Sequence, residues 1–329
     1  MLVRPTAYLC DRPPHAIIHL FTQPGPPHPG SQTMTRNIKL VIAYDGSDFH
    51  GWQAQPGQRT IQGILSDLLE QITGAKPAVH GAGRTDSGVH AWGQVANFKT
   101  ESAHPAGEFA RALNALLPPS IRIRHAEEVS AEFHARWLVT AKTYHYHIYR
   151  GPVVPPTLWR HVLHVSRRLD FAAMAQAARR FEGEHDFSSF AASTGSEELD
   201  RARTMVRHIA GSQMCVGTTM WVAATTRVGT TTCLGTTMSV GMNGPEENDP
   251  NTAAEWLYII RGRSFLRNMV RKIVGTLLEV GRGRISPAEI DGLFELRDRT
   301  RSGPTAPAHG LSLMSVEYAA EYPPPDFES

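Results

Sequence analysis

The chain has 329 residues, 41% hydrophobic and 19% charged, which is enough apolar material for about two domains with real cores. It contains no run of roughly 18 apolar residues, so no membrane-spanning helix is expected. A net charge of +2 is too small to attract a polyanion by overall balance, so any such surface must come from local clustering. The three cysteines, Cys10, Cys215 and Cys233, are widely spaced and form no CxxC pair. That argues against a disulfide framework, a Cys215–Cys233 bridge included, and for a reducing, cytoplasmic setting.

Residues 1 to 35 hold PP and PGPPHPG without periodicity and are expected to be a disordered extension, with Met34 as an alternative start. The segment AIIHLF within it is too short and interrupted for a signal sequence. NIKLVIAYDG, residues 37 to 46, alternates Ile38, Leu40, Ile42 and Tyr44 on one face and ends in Asp-Gly, a strand running into a turn. A helix follows, with Thr60 as N-cap, Ile61, Ile64, Leu65, Leu68 and Ile72 at helical spacing, and Gly74 as the stop. A glycine-rich run leads to a strand at about 92 to 99. A second helix from near Pro105 buries Phe109, Ala112, Leu113, Leu116 and Leu117 and ends at Pro118-Pro119. IRIRHAEEV, residues 121 to 129, is another strand. The order is β-α-β-β-α-β, the ferredoxin-like or RRM-like pattern.

The second half repeats this logic. TYHYHIY, residues 143 to 149, alternates as a strand, followed by a helix over about 170 to 182 and a strand over about 202 to 209. A Thr/Gly-rich tract, about 211 to 254, interrupts the pattern and reads as a long excursion from a hairpin. EWLYIIRG is a strand, SFLRNMVRKIVGTLLEV a long helix, and LSLMSVEY, residues 311 to 318, the last strand. In ISPAEIDGLFEL, Ser286 is the expected N-cap, Pro287 takes the first position and Glu289 closes a capping box. The expected fold is α+β. Two ferredoxin-like halves, 36–140 and 141–320, share one broad, mostly antiparallel sheet with helices on one face, a groove between the halves, and a short tail over 321–329.

The run GAGRTDSGVHAWGQVANF, residues 81 to 98, admits three readings. It can be a structural turn, since Gly81, Gly83 and Gly88 permit positive φ. As a phosphate loop it lacks GxxxxGK[ST], and a strand follows it instead of a helix. As a catalytic loop it carries Asp86 with Arg84 two residues away, an ionised carboxylate able to act as nucleophile or base.

This run resembles the catalytic loop of the tRNA pseudouridine synthase A family. AYDGSDFHGWQAQPGQRTIQG, FHARWLVTAKTYHYHIY, EGEHDFSSF, SFLRNMVRKIVGTLLEVG and HGLSLMSVEY resemble the rest of that family in the same order, covering nearly all of residues 36 to 320. The tracts 1 to 35 and 211 to 254 depart from its pattern. The resemblance implies isomerisation of uridine to pseudouridine at positions 38 to 40 of the tRNA anticodon stem-loop. It also implies a homodimer that needs neither cofactor nor metal. It makes Asp86 the catalytic aspartate, Arg84 the loop arginine beside it, Tyr144 the ring that stacks on the target base, and Leu311 a residue near the uracil. On chemical grounds the reaction oxidises nothing, the base must leave its stack to be reached, and an aromatic ring can hold it. The carboxylate can attack the base, attack the sugar C1′ or remove a sugar proton, and all three remain open. The competing role for Tyr144 and Leu311 is plain strand packing.

Arg263, Arg267 and Arg271 recur every four residues along the expected long helix, with Lys272 beside them and Arg261 just before. No acid intervenes, so the stripe is expected to be free to meet RNA phosphates, against the alternative of a solvated helix face. His134, His145, His147 and His185 lack a nearby cysteine or carboxylate to complete a ligand set, so no metal site is expected. A non-catalytic RNA-binding protein on the same scaffold is the main alternative. It needs neither Asp86 nor Arg84. A nucleotide-phosphate-binding enzyme is weaker for the reasons given against a phosphate loop.

Overall fold

A computed structural model describes residues 34–193, 204–216 and 254–322. The N-terminal extension up to residue 33, residues 217–253 of the Thr/Gly-rich tract, and the tail from 323 lie outside the described residues, and Cys10 and Cys233 with them. Among the described residues, ten strands form one sheet. They are β1 (Arg36–Tyr44), β2 (His80–Gly81), β3 (His90–Thr100), β4 (Ile121–Val129), β5 (Ala141–Tyr149), β6 (Leu163–His164), β7 (Gly183–Asp186), β8 (Val206–Val216), β9 (Glu255–Gly262) and β10 (Leu311–Glu317). The order across the sheet is β4-β1-β3-β10-β5-β9-β8-β7, with β2 paired to β3 and β6 to β5. Among the described residues, the helices are α1 (Ile61–Thr73), α2 (Ala106–Leu116), α3 (Phe171–Arg179), α4 (Met269–Gly281) and α5 (Glu289–Leu296). None is long and apolar enough to cross a membrane.

The first half has the expected β-α-β-β-α-β order, completed by the two-residue β2, which no sequence pattern placed. Thr60 caps α1 through its side chain to the Gly63 N–H, and Gly74 closes it at φ 76°, a left-handed turn that glycine adopts without a Cβ penalty. Phe109, Ala112 and Leu113 form the buried face of α2, which packs on β4. The expectation of a one-faced β1 needs correction. Ile38, Leu40 and Ile42 are fully buried, but Asn37, Lys39 and Val41 on the opposite face are buried too. Residues 133–135 and the end of the chain cover that face. Asn37 Nδ2 donates to the carbonyls of Ser130 and Phe133, and Lys39 Nζ pairs with Glu127 at 2.7 Å. A buried lysine is stable only with such a partner.

The last strand joins the halves. β10 runs parallel to β3 over only two pairs, Ser312–His90 and Leu313–Ala91, and antiparallel to β5 along its length. Beyond those two pairs the strands stay close because residue 93 is glycine. A Cβ there would lie 2.4 Å from the Met314 carbonyl oxygen. β8 extends further than expected, to Val216, which pairs with Trp256 of β9. The Thr/Gly-rich tract therefore leaves and re-enters at the end of a β8–β9 hairpin.

The long helix is also shorter and more enclosed than its sequence suggests. α4 begins at Met269, because Asn268 takes a left-handed φ of 58°. It is buried on nearly all sides, from Met269 and Val270 to Val280 and Gly281, so it has no exposed basic face. The covering element is the return segment around residues 303–306. Gly303 N–H donates to Thr276 Oγ1, and Ala306 N–H donates to the Arg271 carbonyl. A Cβ at Gly275 would sit 1.6 Å from the Pro304 carbonyl oxygen. Gly275→Ala is thus expected to destabilise the protein by about 3 kcal/mol, the upper end of overpacking costs, because backbone must move. Urea unfolding of the variant beside wild type checks this, and an unchanged midpoint would show that the return segment yields freely. α5 keeps its capping box, with Ser286 N–H donating to Glu289 Oε2 at 2.6 Å and Glu289 N–H to Ser286 Oγ at 3.4 Å.

Candidate active site

The loop between β2 and β3 is held from below by the chain that follows β1. Tyr44 and Thr85 share a hydrogen bond of 2.8 Å between hydroxyls. Trp52 N–H donates to the Thr85 carbonyl at 3.1 Å, and Ser87 Oγ donates to the Phe49 carbonyl at 3.1 Å. From the other side Gln94 Nε2 donates to the Gly83 carbonyl at 3.0 Å. Such close stacking of two loops needs glycine. A Cβ at Gly46 would meet the Val89 carbonyl oxygen at 2.0 Å, and one at Gly51 the Thr85 carbonyl oxygen at 2.6 Å. The motifs YDGSDFHGW and GAGRTDSGVH are therefore two halves of one rigid platform. Asp86 stands on it with its side chain one-third exposed. A carboxylate fixed at its base and open at its tip is suited to a reacting group.

The cation that reaches Asp86 is Arg271, at 3.3 Å from Nη1 to Oδ2. The expected partner, Arg84, is exposed. Among the described residues, no acid stands within ion-pair distance of it. Arg271 is itself anchored. Its Nε donates to the Ala306 carbonyl at 2.7 Å and its Nη1 to Asn268 Oδ1 at 3.1 Å. The left-handed Asn268 and the tight α4–return-segment contact thus aim one guanidinium across 185 residues of sequence at the loop.

Tyr144 lies on β5 with its ring edge-on to Phe265 at 5.1 Å, only 7% exposed. Burial raises its phenol well above the usual range, and the nearby Tyr44 and the negative charge of Asp86 add to this, so it is a neutral group. Alternation along β5 puts Lys142 on the same face, and Leu313 and Leu311 pair with Tyr144 and Tyr146 in the neighbouring strand. Leu311 is buried at the start of β10. Lys142 is depressed to about 8 by burial and then by Arg136, and a Cβ on Gly83 would be 3.1 Å from its Nζ. Lys142 is a site neighbour that motif matching does not single out, and its i,i+2 relation to Tyr144 is the only sequence signal for it.

The basic stripe is not assembled. Arg261 sits in β9 and makes a two-bonded pair with Glu317, at 3.0 and 2.6 Å. Lys272 Nζ donates to the Arg299 carbonyl and Ser302 Oγ. Arg263 and Arg267 lie before α4 and are exposed. Acids distant in sequence, Glu317 and Asp86, neutralise what local spacing left unpaired.

The histidines fall into separate settings. His185 stacks on Phe294 at 4.2 Å, and His134 stacks on Trp137 at 3.8 Å. His145 and His147 are buried together on β5, and burial lowers them to about 4 and about 3. A different set, Asp45, His90 and His161, brings ligand-type atoms within 4.8 Å of one another. These groups are already engaged. Asp45 Oδ1 accepts from Ser47 N–H and Oγ, and His90 Nε2 meets the carbonyls of Arg160 and His309 at 3.0 and 3.1 Å. Burial raises the Asp45 carboxyl, but the hydrogen bonds from His90 and Ser47 outweigh it and hold it well below the usual range. His90 follows the Asp86 loop directly, so this cluster ties the end of the loop to both halves of the sheet.

A family model described as tRNA pseudouridine synthase matches residues 40–137 and 177–319. The chain belongs to the tRNA pseudouridine synthase family. Among similar proteins, the tRNA pseudouridine synthase A of Solibacter usitatus is 43% identical over 283 residues, 86% of this chain and 100% of that protein. The tRNA pseudouridine synthase A of Acetivibrio thermocellus is 43% identical over 284 residues, with the same two shares. The tRNA pseudouridine synthase A 1 of Desulfotalea psychrophila is 40% identical over 283 residues, again 86% and 100%. Both family-matched segments contribute to the site, the first through Asp86 and the second through Arg271.

Proposed function

We propose that this member of the pseudouridine synthase family isomerises uridine to pseudouridine in the anticodon stem-loop of tRNA, at positions 38 to 40, with Asp86 as the catalytic residue. The observation that carries the reading is the Asp86–Arg271 ion pair, set on a glycine-supported loop beside Tyr144. The reaction breaks the N1–C1′ bond, turns the uracil and joins C5 to C1′. N1 gains a proton and C5 loses one, so nothing is oxidised and the balance needs no cofactor or metal. The target base must be flipped out of its stack. Asp86 then acts on the base, on C1′ or on a sugar proton, and Arg271 fixes the direction of the carboxylate. Tyr144 offers a neutral aromatic face, and Leu311 on the same sheet face offers an apolar wall. Arg84, exposed on the loop, is suited to the space that the flipped base vacates. Arg263 and Arg267 are the exposed cations for the RNA backbone. Arg261, Arg271 and Lys272, proposed for that role from spacing, are committed to protein partners.

A homodimer working in the cytoplasm is the associated reading. It rests on family resemblance and on sparse, unpatterned cysteines. The decisive experiment is tritium release from tRNA labelled at uridine C5. Release with no methyl donor present identifies the reaction, because joining C5 to C1′ expels that hydrogen. Binding of the same tRNA without release would support a non-catalytic RNA-binding protein instead.

A further inference from the structure

Trp137 is 72% exposed, yet it is not loose. Its indole lies parallel to the His134 ring, with centroids 3.8 Å apart and planes within 10°. His134 in turn rests against His80 at 4.8 Å, and His80 opens β2, the strand that leads straight into the catalytic loop. The three rings form a short pile with Trp137 and His80 exposed at its two ends. Cations lie along the same segment and on the adjoining loop. Arg136 and Arg84 are exposed, and Lys142 points toward Gly83 of the loop. Among the described residues, no acid pairs with any of the three. Burial, and then His80 and Arg136, lower His134 below its ordinary value, so the supporting ring is uncharged at neutral pH.

Protein interfaces deplete charge at their core and lysine throughout, although arginine and tryptophan are enriched in them. Here the exposed Arg136 beside the ring and Lys142 toward the loop have no acid partner among the described residues, and Leu138 is the exposed apolar neighbour in sequence, a setting that favours a polyanion with aromatic rings over a protein core. A nucleic acid strand has both features. Bases stack on open aromatic faces without regard to sequence, and cations beside the ring hold the backbone. We propose that Trp137, supported by His134, is a stacking platform for a tRNA base outside the catalytic pocket, with Arg136 and Lys142 meeting the adjoining phosphates. The platform rests on the reading of Asp86 as the centre of a tRNA-modifying site. It adds a second point of hold on the RNA at the far end of the same loop.

The test uses the full chain and an unmodified tRNA transcript with uridines in the anticodon stem-loop. Trp137→Ala, Trp137→Phe and Trp137→Leu are compared with wild type for tRNA Kd, for KM and kcat in tritium release, and for mass by sedimentation. Trp137→Ala is expected to weaken Kd and raise KM by about 5- to 150-fold, the cost of one lost base stack, with kcat at saturating tRNA retained. Trp137→Phe is expected to recover most of the loss, and Trp137→Leu little of it. An unchanged Kd in Trp137→Ala overturns the platform while leaving the catalytic reading standing. Equal recovery by Leu and Phe overturns stacking. A fall in mass in Trp137→Ala assigns the surface to a second copy of the chain and overturns the RNA platform. Wild-type protein that neither binds nor modifies the tRNA removes the catalytic reading and the platform together.

Discussion

Asp86→Asn is expected to abolish pseudouridine formation while leaving tRNA binding nearly intact. The substitution keeps the size of the side chain and an oxygen for Arg271, but removes the negative charge. An amide can neither attack carbon nor accept a proton at neutral pH. Loss of a nucleophile or base costs on the order of 10⁴- to 10⁶-fold in kcat where its role has been measured in other enzymes. The loop should survive the change. Its hold on the protein runs through Thr85, Ser87 and the Gly83 carbonyl, none of which involves the Asp86 side chain. Thermal unfolding should therefore move by no more than about 1 kcal/mol, the usual range for a site away from the core. Tritium release and filter binding, run on the same preparation, separate chemistry from binding. Turnover retained within tenfold of wild type would sink the assignment of Asp86.

Much of this site was legible in sequence, but only where the determinants are local. The caps of α1 are spelled by Thr60 and Gly74, each acting within four residues. The platform loop is spelled by its glycines, and the acid among them marks Asp86 as the candidate. The register of α4 was not, because nothing near Asn268 announces a left-handed residue inside an otherwise helical pattern. The return segment that buries the far side of α4 comes more than twenty residues later, and only the Pro304 carbonyl packed against it distinguishes Gly275 from an ordinary helix glycine. The two-residue strands β2 and β6 are too short for any period to show. β8 ran on into the Thr/Gly tract because Trp256 and Leu257 supply the pairing that composition alone did not promise. Lys39 reads as an outward residue of an alternating strand, and only a cover drawn from residues 130 to 135 and a bond to Glu127 make it an inward one. The pattern is consistent. Periodicity and caps report on one element at a time, whereas ion pairs across 56 or 185 residues report on the tertiary fold.

Arg271 is where that difference has its largest functional consequence. Spacing alone made it one of five cations for RNA phosphates; the fold turns it inward, 17% exposed, onto Asp86. The two roles predict different kinetics. A residue that directs the catalytic carboxylate should act on the chemical step. Arg271→Ala is then expected to lower kcat on the order of 10²- to 10³-fold, the scale for one lost electrostatic contact at a reacting centre, with tRNA Kd little changed. A phosphate contact should instead weaken binding of every tRNA alike and make its salt dependence shallower by about 0.9 in the slope of log K against log salt. Alanine also leaves the Ala306 carbonyl without its partner, so unfolding must be measured alongside. Arg271→Lys guards against that difficulty. Lysine keeps the charge, but one ammonium cannot reproduce a planar fork that serves Ala306, Asn268 and Asp86 together. A phosphate site would tolerate the swap, whereas a directed ion pair would not. A kcat loss in both variants at an unchanged salt slope assigns Arg271 to the carboxylate. A Kd loss with a shallower slope assigns it to the RNA backbone and removes the ion pair from the mechanism.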